Sequence, residues 1–292
     1  MNPSPKTNEG QRRDLVDVRG VPFHPLSRPC RVVSLVPSWT ETLFYLGLTE
    51  REILGRTDYC IHPRARVGEI EKLGGPRDPA IERILKLAPD LIVMDREENR
   101  KEDVERLDGH WDRSRVFVTG LTTVDHALNY IEQLGHLFQT QKRARKLIDR
   151  VNSLLDRIIQ KNRGTVAYLT WLDPIIAVGS ETYIEDVLAI LGYQNVFTSS
   201  NLKDLKIKVG FNYPTITLED LIHLKPDAIF LSTEPFPFRR RHIDRLRSQI
   251  DRIDPEYATE VDIRIVNGEY FSWYGSRMIA AFRYFVNRQV RL

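Results

Sequence analysis

One stretch of this sequence occurs twice, and the repeat limits the folds open to the chain. Ile81-Glu-Arg-Ile-Leu-Lys-Leu-Ala-Pro-Asp-Leu-Ile-Val93 has a counterpart in Leu218-Glu-Asp-Leu-Ile-His-Leu-Lys-Pro-Asp-Ala-Ile-Phe230. Glu82 pairs with Glu219, Pro89 with Pro226, Asp90 with Asp227 and Glu97 with Glu234, all 137 positions apart (219 − 82, 234 − 97). Each copy reads as a short helix, a Pro-Asp stop and a buried strand. A unit that recurs in the same order predicts two halves of like fold.

Other segments fill in the halves. Arg31-Val-Val-Ser-Leu-Val-Pro37 reads as a strand before a helix carrying Leu43 and Leu46, and Ile53 to Thr57 and Val116 to Val118 read as further strands. After Gly164 the alternation resumes with Thr165 to Thr170, a helix from Tyr183 to Leu191, strands at Ala228 to Leu231 and Arg264 to Val266, and a terminal helix from Ser276. Strands alternating with helices predict βαβ units and mainly parallel sheets. Between the halves, Ala144, Leu147, Ile148, Val151, Leu154, Leu155, Ile158 and Ile159 repeat at helical steps. A continuous helix from Thr140 to Arg163 is expected to span roughly 36 Å. The fold class is therefore α/β: two Rossmann-like lobes with mainly parallel sheets joined by a long interdomain helix. The expected division is a flexible arm over 1–28, an N-terminal lobe over 29–122, the interdomain helix over 123–163 and a C-terminal lobe over 164–292.

Two α/β lobes make a cleft, and ligands of open α/β sheets sit beyond the carboxyl ends of the strands. The segments falling there are aromatic: Trp39, Tyr59, Trp171, Phe211, Tyr213, Phe236 and Phe238, then Gly268-Glu-Tyr-Phe-Ser-Trp-Tyr-Gly-Ser-Arg277 with Tyr270 and Trp273. Rings with polar tips suit a large ligand that is partly apolar and partly decorated with amides.

Four segments carry a family likeness: Arg31 to Glu41, the GRTDYCIHP loop from Gly55, the run from Lys72 to Val93, and Gly268 to Arg277. Together they resemble the helical-backbone, class III periplasmic binding proteins, with the nearest likeness to the cobalamin-binding members that serve ABC importers. The resemblance implies a bilobal receptor that binds a corrinoid or another metal chelate as ligand, has no intrinsic cofactor, and acts as a monomer. It implies that Glu82 and Glu219 dock onto an ABC permease, and that corrinoid-contacting aromatics fall near Tyr59, Trp171, Tyr213 and Trp273. The alternatives on the same fold are a cytosolic corrinoid-handling or sensing protein and an iron-siderophore binder.

Rival chemistries find less in the sequence. Cys60 and His62 share a loop, but two ligands make no structural metal site; His62 is the candidate axial ligand to a cobalt already held in a corrin. The chain has no GxSxG, GxxxxGK[ST] or HExxH, and nothing in the spacing of Asp58, Glu69, Glu97, Glu98 and Glu269 forces two of them together, so no enzyme is predicted. A formal charge of +3 gives no reason to expect nucleic acid, despite the basic run from Arg239 to Arg247. Polar residues interrupt the N-terminal stretch where a signal peptide needs an apolar core, so the chain as written is expected in the cytoplasm, or in the periplasm or at the cell surface if the N-terminus is incomplete. Cys30 and Cys60 are read as free thiols.

Overall fold

A computed structural model describes residues 15–207 and 212–288. Two separate sheets organise the chain. The first is wholly parallel, with spatial order Glu71–Lys72, Ile53–Arg56, Val32–Ser34, Leu91–Asp95 and Val116–Thr119. In the second, Thr165–Trp171, Ala228–Ser232 and Asp262–Val266 run parallel, and Ile175–Ala177 and Thr215–Ile216 add antiparallel strands at one side. The central strands are buried along their whole length, as their unbroken apolar runs require of strands covered on both faces.

The repeat is structural. Helix Ile81–Leu87 and strand Leu91–Asp95 match helix Leu218–Leu224 and strand Ala228–Ser232. Both helices end in a left-handed residue, Ala88 at φ 42° and Lys225 at φ 41°. This conformation lets the cap N–H reach a carbonyl of the last turn. The following proline cannot continue the helix, and the aspartate after it ties the strand to its neighbour. Asp90 accepts from the Arg31 backbone N–H at 2.8 Å, and Asp227 accepts from that of Thr165 at 2.7 Å.

Three apolar clusters hold the molecule together. One fills the outer face of the first sheet with Val33, Ile84, Ile92 and Met94, and a second does the same for the second sheet with Leu169, Leu221, Ile229 and Leu246. The third is shared: it joins Val32, Val93 and Phe117 of one sheet to Val166, Tyr168 and Phe230 of the other through the intervening and terminal helices. Each large apolar side chain buried there contributes roughly 1.5–3 kcal/mol. Independent motion of the lobes would have to divide this common core.

The segment between the sheets is helical but folded back on itself. Helix Val124–Leu137 ends at the buried Phe138 and left-handed Gln139, and helix Gln141–Leu155 follows. Gly135 lets the two pack closely, because a Cβ there would strike that of Ala144. The second helix is about 22 Å long and stops eight residues short of Arg163, so periodicity continued past the point where the backbone turns. Nor are residues 15–28 a free arm. Leu15–Val16 pairs with Pro22–Phe23, Phe23 packs edge-on against Phe117, and Asp17 is buried where it accepts from the Val118 N–H. Residues 1–14 of the expected arm, and Phe211, lie outside the described residues.

Candidate ligand cleft

The carboxyl ends of both sheets' strands face a common seam. From the first lobe come the loop after Ile53–Arg56, with Tyr59 and His62, and the loop after Leu91–Asp95, with Glu97 and Glu98. From the second come Trp171 at the end of its strand, Glu234 and Phe236 after Ala228–Ser232, and Glu269 after Asp262–Val266.

The expected aromatics divide into three groups. Tyr59 is 63% exposed, Trp171 and Tyr213 are each 37% exposed, and the Trp171 ring meets that of Phe236 at 5.2 Å. Phe236 is backed in turn by Phe238 and His242, which hold it in place. Tyr59, Trp171 and Tyr213 thus offer open surface, and Phe236 is partly buried behind Trp171. Trp273 is only 9% exposed and belongs to the seam itself: its ring sits edge-on to His62, the Arg277 guanidinium lies over it, and its indole N–H donates to Glu234.

Trp39 and Tyr270 are corrections. Trp39 is fully buried, donates its indole N–H to Thr119 at 2.8 Å and packs between Tyr274 and Tyr130. It follows the strand end but lies in the first turn of helix Pro37–Leu46, whose apolar face points into the shared core. Tyr270, on the short helix Gly268–Ser272, packs on Tyr284 of the terminal helix and is partly buried against the shared core.

The lobes are also bonded to each other. Arg277 pairs with Glu41 at 3.0 Å and with Glu269 at 3.5 Å, and His62 Nε2 stands 3.4 Å from Glu269. The Ser276 N–H donates to Thr42 Oγ1 at 2.9 Å. Gly275 adopts a left-handed φ of 68° there, and an added Cβ would collide with that same Thr42 oxygen. Tyr213 closes the other side, its hydroxyl hydrogen-bonded to Glu97; burial of that hydroxyl beside the carboxylate pushes it well above the ordinary phenol value. An axial role for His62 requires it to leave Glu269.

Acidic groups gather where spacing alone gave no reason to join them. Burial raises Glu97, Glu234 and Glu41 above the usual carboxylate range. Glu98 is pushed up to about 7 by burial and by the charges of Asp95, Glu97 and Glu234, and burial raises Asp95 to about 6. The one signal in the sequence was the repeat, which pairs Glu97 with Glu234 and so marks one carboxylate per lobe after matching strands. Among the described residues no group of three or more His, Cys, Asp or Glu side chains is arranged to hold a metal ion. Cys30 and Cys60 are buried free thiols. A separate groove of about 840 Å³, lined by Thr122, Thr165, Glu185, Asp186 and Asn195, lies where the second sheet's strands Thr165–Trp171 and Gln194–Asn195 begin.

Two α/β lobes that share a core and meet across an aromatic, carboxylate-lined seam define a ligand receptor. The chain belongs to the periplasmic binding protein family, whose model matches residues 32–254. It is 26% identical over 206 residues to the vitamin B12-binding protein of Vibrio parahaemolyticus, covering 69% of this chain and 70% of that one. Its fold is like that of the periplasmic vitamin B12 binding protein of Vibrio cholerae, at 21% identity and a TM-score of 0.69 over 93% of this chain and 100% of the other. The periplasmic haem-binding protein of Roseiflexus sp. RS-1 is similar in fold as well, at 19% identity and a TM-score of 0.69, covering 89% and 97% of the two chains. The cytoplasmic placement is thereby corrected, since the family and these neighbours are periplasmic binding proteins. The composition of the first residues gave no ground strong enough to set against that.

Proposed function

We propose that this chain is the substrate-binding component of an ABC importer and that its cargo is a corrinoid. The observation that carries the reading is the vitamin B12-binding name of relatives aligned over most of the chain, joined to a cleft whose open rings come from both lobes. Tyr59 on one side, and Trp171 with Phe236 and Tyr213 on the other, offer apolar faces to a flat macrocycle, while neighbouring carboxylates take the N–H groups at its rim. The ring nitrogens of the chelate hold the metal, so the protein has only to hold the chelate. In this reading the chain is a monomer with no catalytic step, and any bound metal arrives with the ligand.

Delivery falls to Glu82 and Glu219. They occupy matching positions in the first turn of the repeated helix, one on each lobe, and both side chains are exposed. Glu82 pairs with Arg106 on its own surface, an exposed pair that a permease arginine can replace at little cost. Calorimetric titration with cyanocobalamin and with a neutral ferric hydroxamate tests the cargo: saturable binding of the corrinoid is expected, and no binding at high micromolar concentration overturns the reading. Glu82→Ala and Glu219→Ala are expected to abolish uptake by the reconstituted importer while leaving corrinoid affinity unchanged.

A further inference from the structure

The surplus positive charge of this chain is gathered on one helix. Lys142, Arg145, Lys146 and Arg150 of helix Gln141–Leu155 are exposed and, with Asp149, line a shallow hollow of about 520 Å³. Four cations against one acid equal the formal charge of +3 carried by the whole chain. Lys142, Lys146 and Arg150 follow one another at steps of four, which stacks them along a single stripe. Among the described residues no ion pair engages any of the four. Glu132 of helix Val124–Leu137 shares a neighbouring groove with Arg145. The terminal helix Met278–Arg288, which packs along Gln141–Leu155, adds Arg283 and Arg288 and no acidic side chain.

The basic run from Arg239 to Arg247 is different. Arg245 pairs with Asp173 at 2.9 Å, Arg240 with Asp244 at 3.9 Å, and Arg247 donates to the backbone carbonyls of Ala258 and Val261. Its charge is met within the protein, whereas that of helix Gln141–Leu155 is open to a partner. A protein interface draws its strength from large side chains buried in pockets. None of the exposed large apolar side chains lies on this helix, and its Ala144, Leu147, Val151 and Leu154 are buried in the shared core. An anionic lipid surface asks only for clustered cations, each strengthening attachment about fivefold. The Arg143 guanidinium lies over Gly47, about 15 Å along helix Pro37–Leu46 from the strand end where that helix begins. The basic face thus starts well away from the seam.

We propose that Lys142, Arg145, Lys146 and Arg150 form a docking face for the phosphate headgroups of an anionic membrane, on which the chain rests by charge alone and without inserting. The claim is separate from the cargo and from the roles of Glu82 and Glu219, which lie on other helices.

Cosedimentation of the intact chain with vesicles tests it, using phosphatidylcholine alone and phosphatidylcholine mixed with phosphatidylglycerol. At about 0.1 M salt, where charges act over roughly 10 Å, the mixed vesicles should bind at least about tenfold more tightly; at about 1 M, where the range is roughly 3 Å, binding should vanish. Lys142→Gln combined with Lys146→Gln should weaken attachment about 25-fold. Arg240→Gln combined with Arg245→Gln removes the same charge from the paired run and should change it less than about threefold. Equal binding to the two kinds of vesicle, attachment that survives the higher salt, or equal losses from the two double variants overturns the proposal. Capture of soluble polyglutamate in place of vesicles overturns it in favour of an acidic polypeptide. Vesicle binding without any corrinoid binding leaves it standing and counts against the cargo alone. The vesicle and salt series on the unaltered chain decides the matter even where a variant does not fold.

Discussion

The two lobes share one scaffold but use it differently. Helix, left-handed cap, Pro-Asp and central strand superpose in sequence, yet Asp95 at the end of the first lobe's strand is matched by Ser232 in the second. The tryptophan after the first strand of each lobe shows the same contrast: Trp39 is core, whereas Trp171 keeps an open face. Shared positions build the sheets, and the residues just beyond them divide the work, with the first lobe supplying buried charge and the second supplying most of the aromatic surface. A repeated unit therefore predicts architecture well and predicts the chemistry of each copy poorly.

The two tryptophans give the largest test of that division. Trp39→Ala should cost about 3–5 kcal/mol in denaturant unfolding, the usual range for emptying a large aromatic site in a core, whereas Trp171→Ala should cost less than about 1 kcal/mol. Comparable losses would break the contrast. Next comes pH. The folded-state values of Asp95 and Glu98 are raised, to about 6 and about 7, so their contribution to stability is full at low pH and is lost as pH rises through those values. Stability should fall between about pH 4 and pH 7, by on the order of 2–3 kcal/mol for Asp95, and Glu98→Gln should flatten the upper part of that decline. A profile level across this window would contradict the assignment of buried charge to the first lobe.

Smaller effects probe the shared scaffold. Asp90→Ala and Asp227→Ala should each cost about 1–2 kcal/mol, with the larger loss at Asp227, which accepts from both the backbone and the hydroxyl of Thr165. A loss at only one of them would show that the Pro-Asp stop does different work in the two copies. The smallest is the helix cap. Thr217 and Asp220 form a capping box on helix Leu218–Leu224, but Ala80 offers no side chain to helix Ile81–Leu87. Thr217→Ala should lower the melting midpoint by the equivalent of about 1 kcal/mol.

These contrasts also mark what the sequence made legible. The repeat, the mainly parallel sheets implied by βα alternation and the placing of loops at strand ends all follow from local patterns, and the structure has them. Whether an aromatic on such a loop is exposed or packed depends on the next turn of backbone, which is why Trp39 lies in the core and Tyr270 packs on Tyr284 while Tyr59 and Trp171 keep exposed faces. Similarly, the heptad-like spacing after Thr140 carries no sign that Gln139 reverses the chain or that the helix stops at Leu155. The carboxylate cluster draws on loops far apart in the chain, Glu97 and Glu98 on one and Glu234 and Glu269 on others. Only the matched offset of Glu97 and Glu234 hinted at it.

The account's central claim is that one ligand is held between the strand ends of both lobes. A crystal structure of the chain with cyanocobalamin tests it most directly. The corrin ring should lie between Tyr59 and the Trp171–Phe236 pair, with side-chain amides directed at Glu97 and Glu234. A corrin bound in the groove between Thr122 and Asp186, or touching residues of one lobe alone, would contradict it.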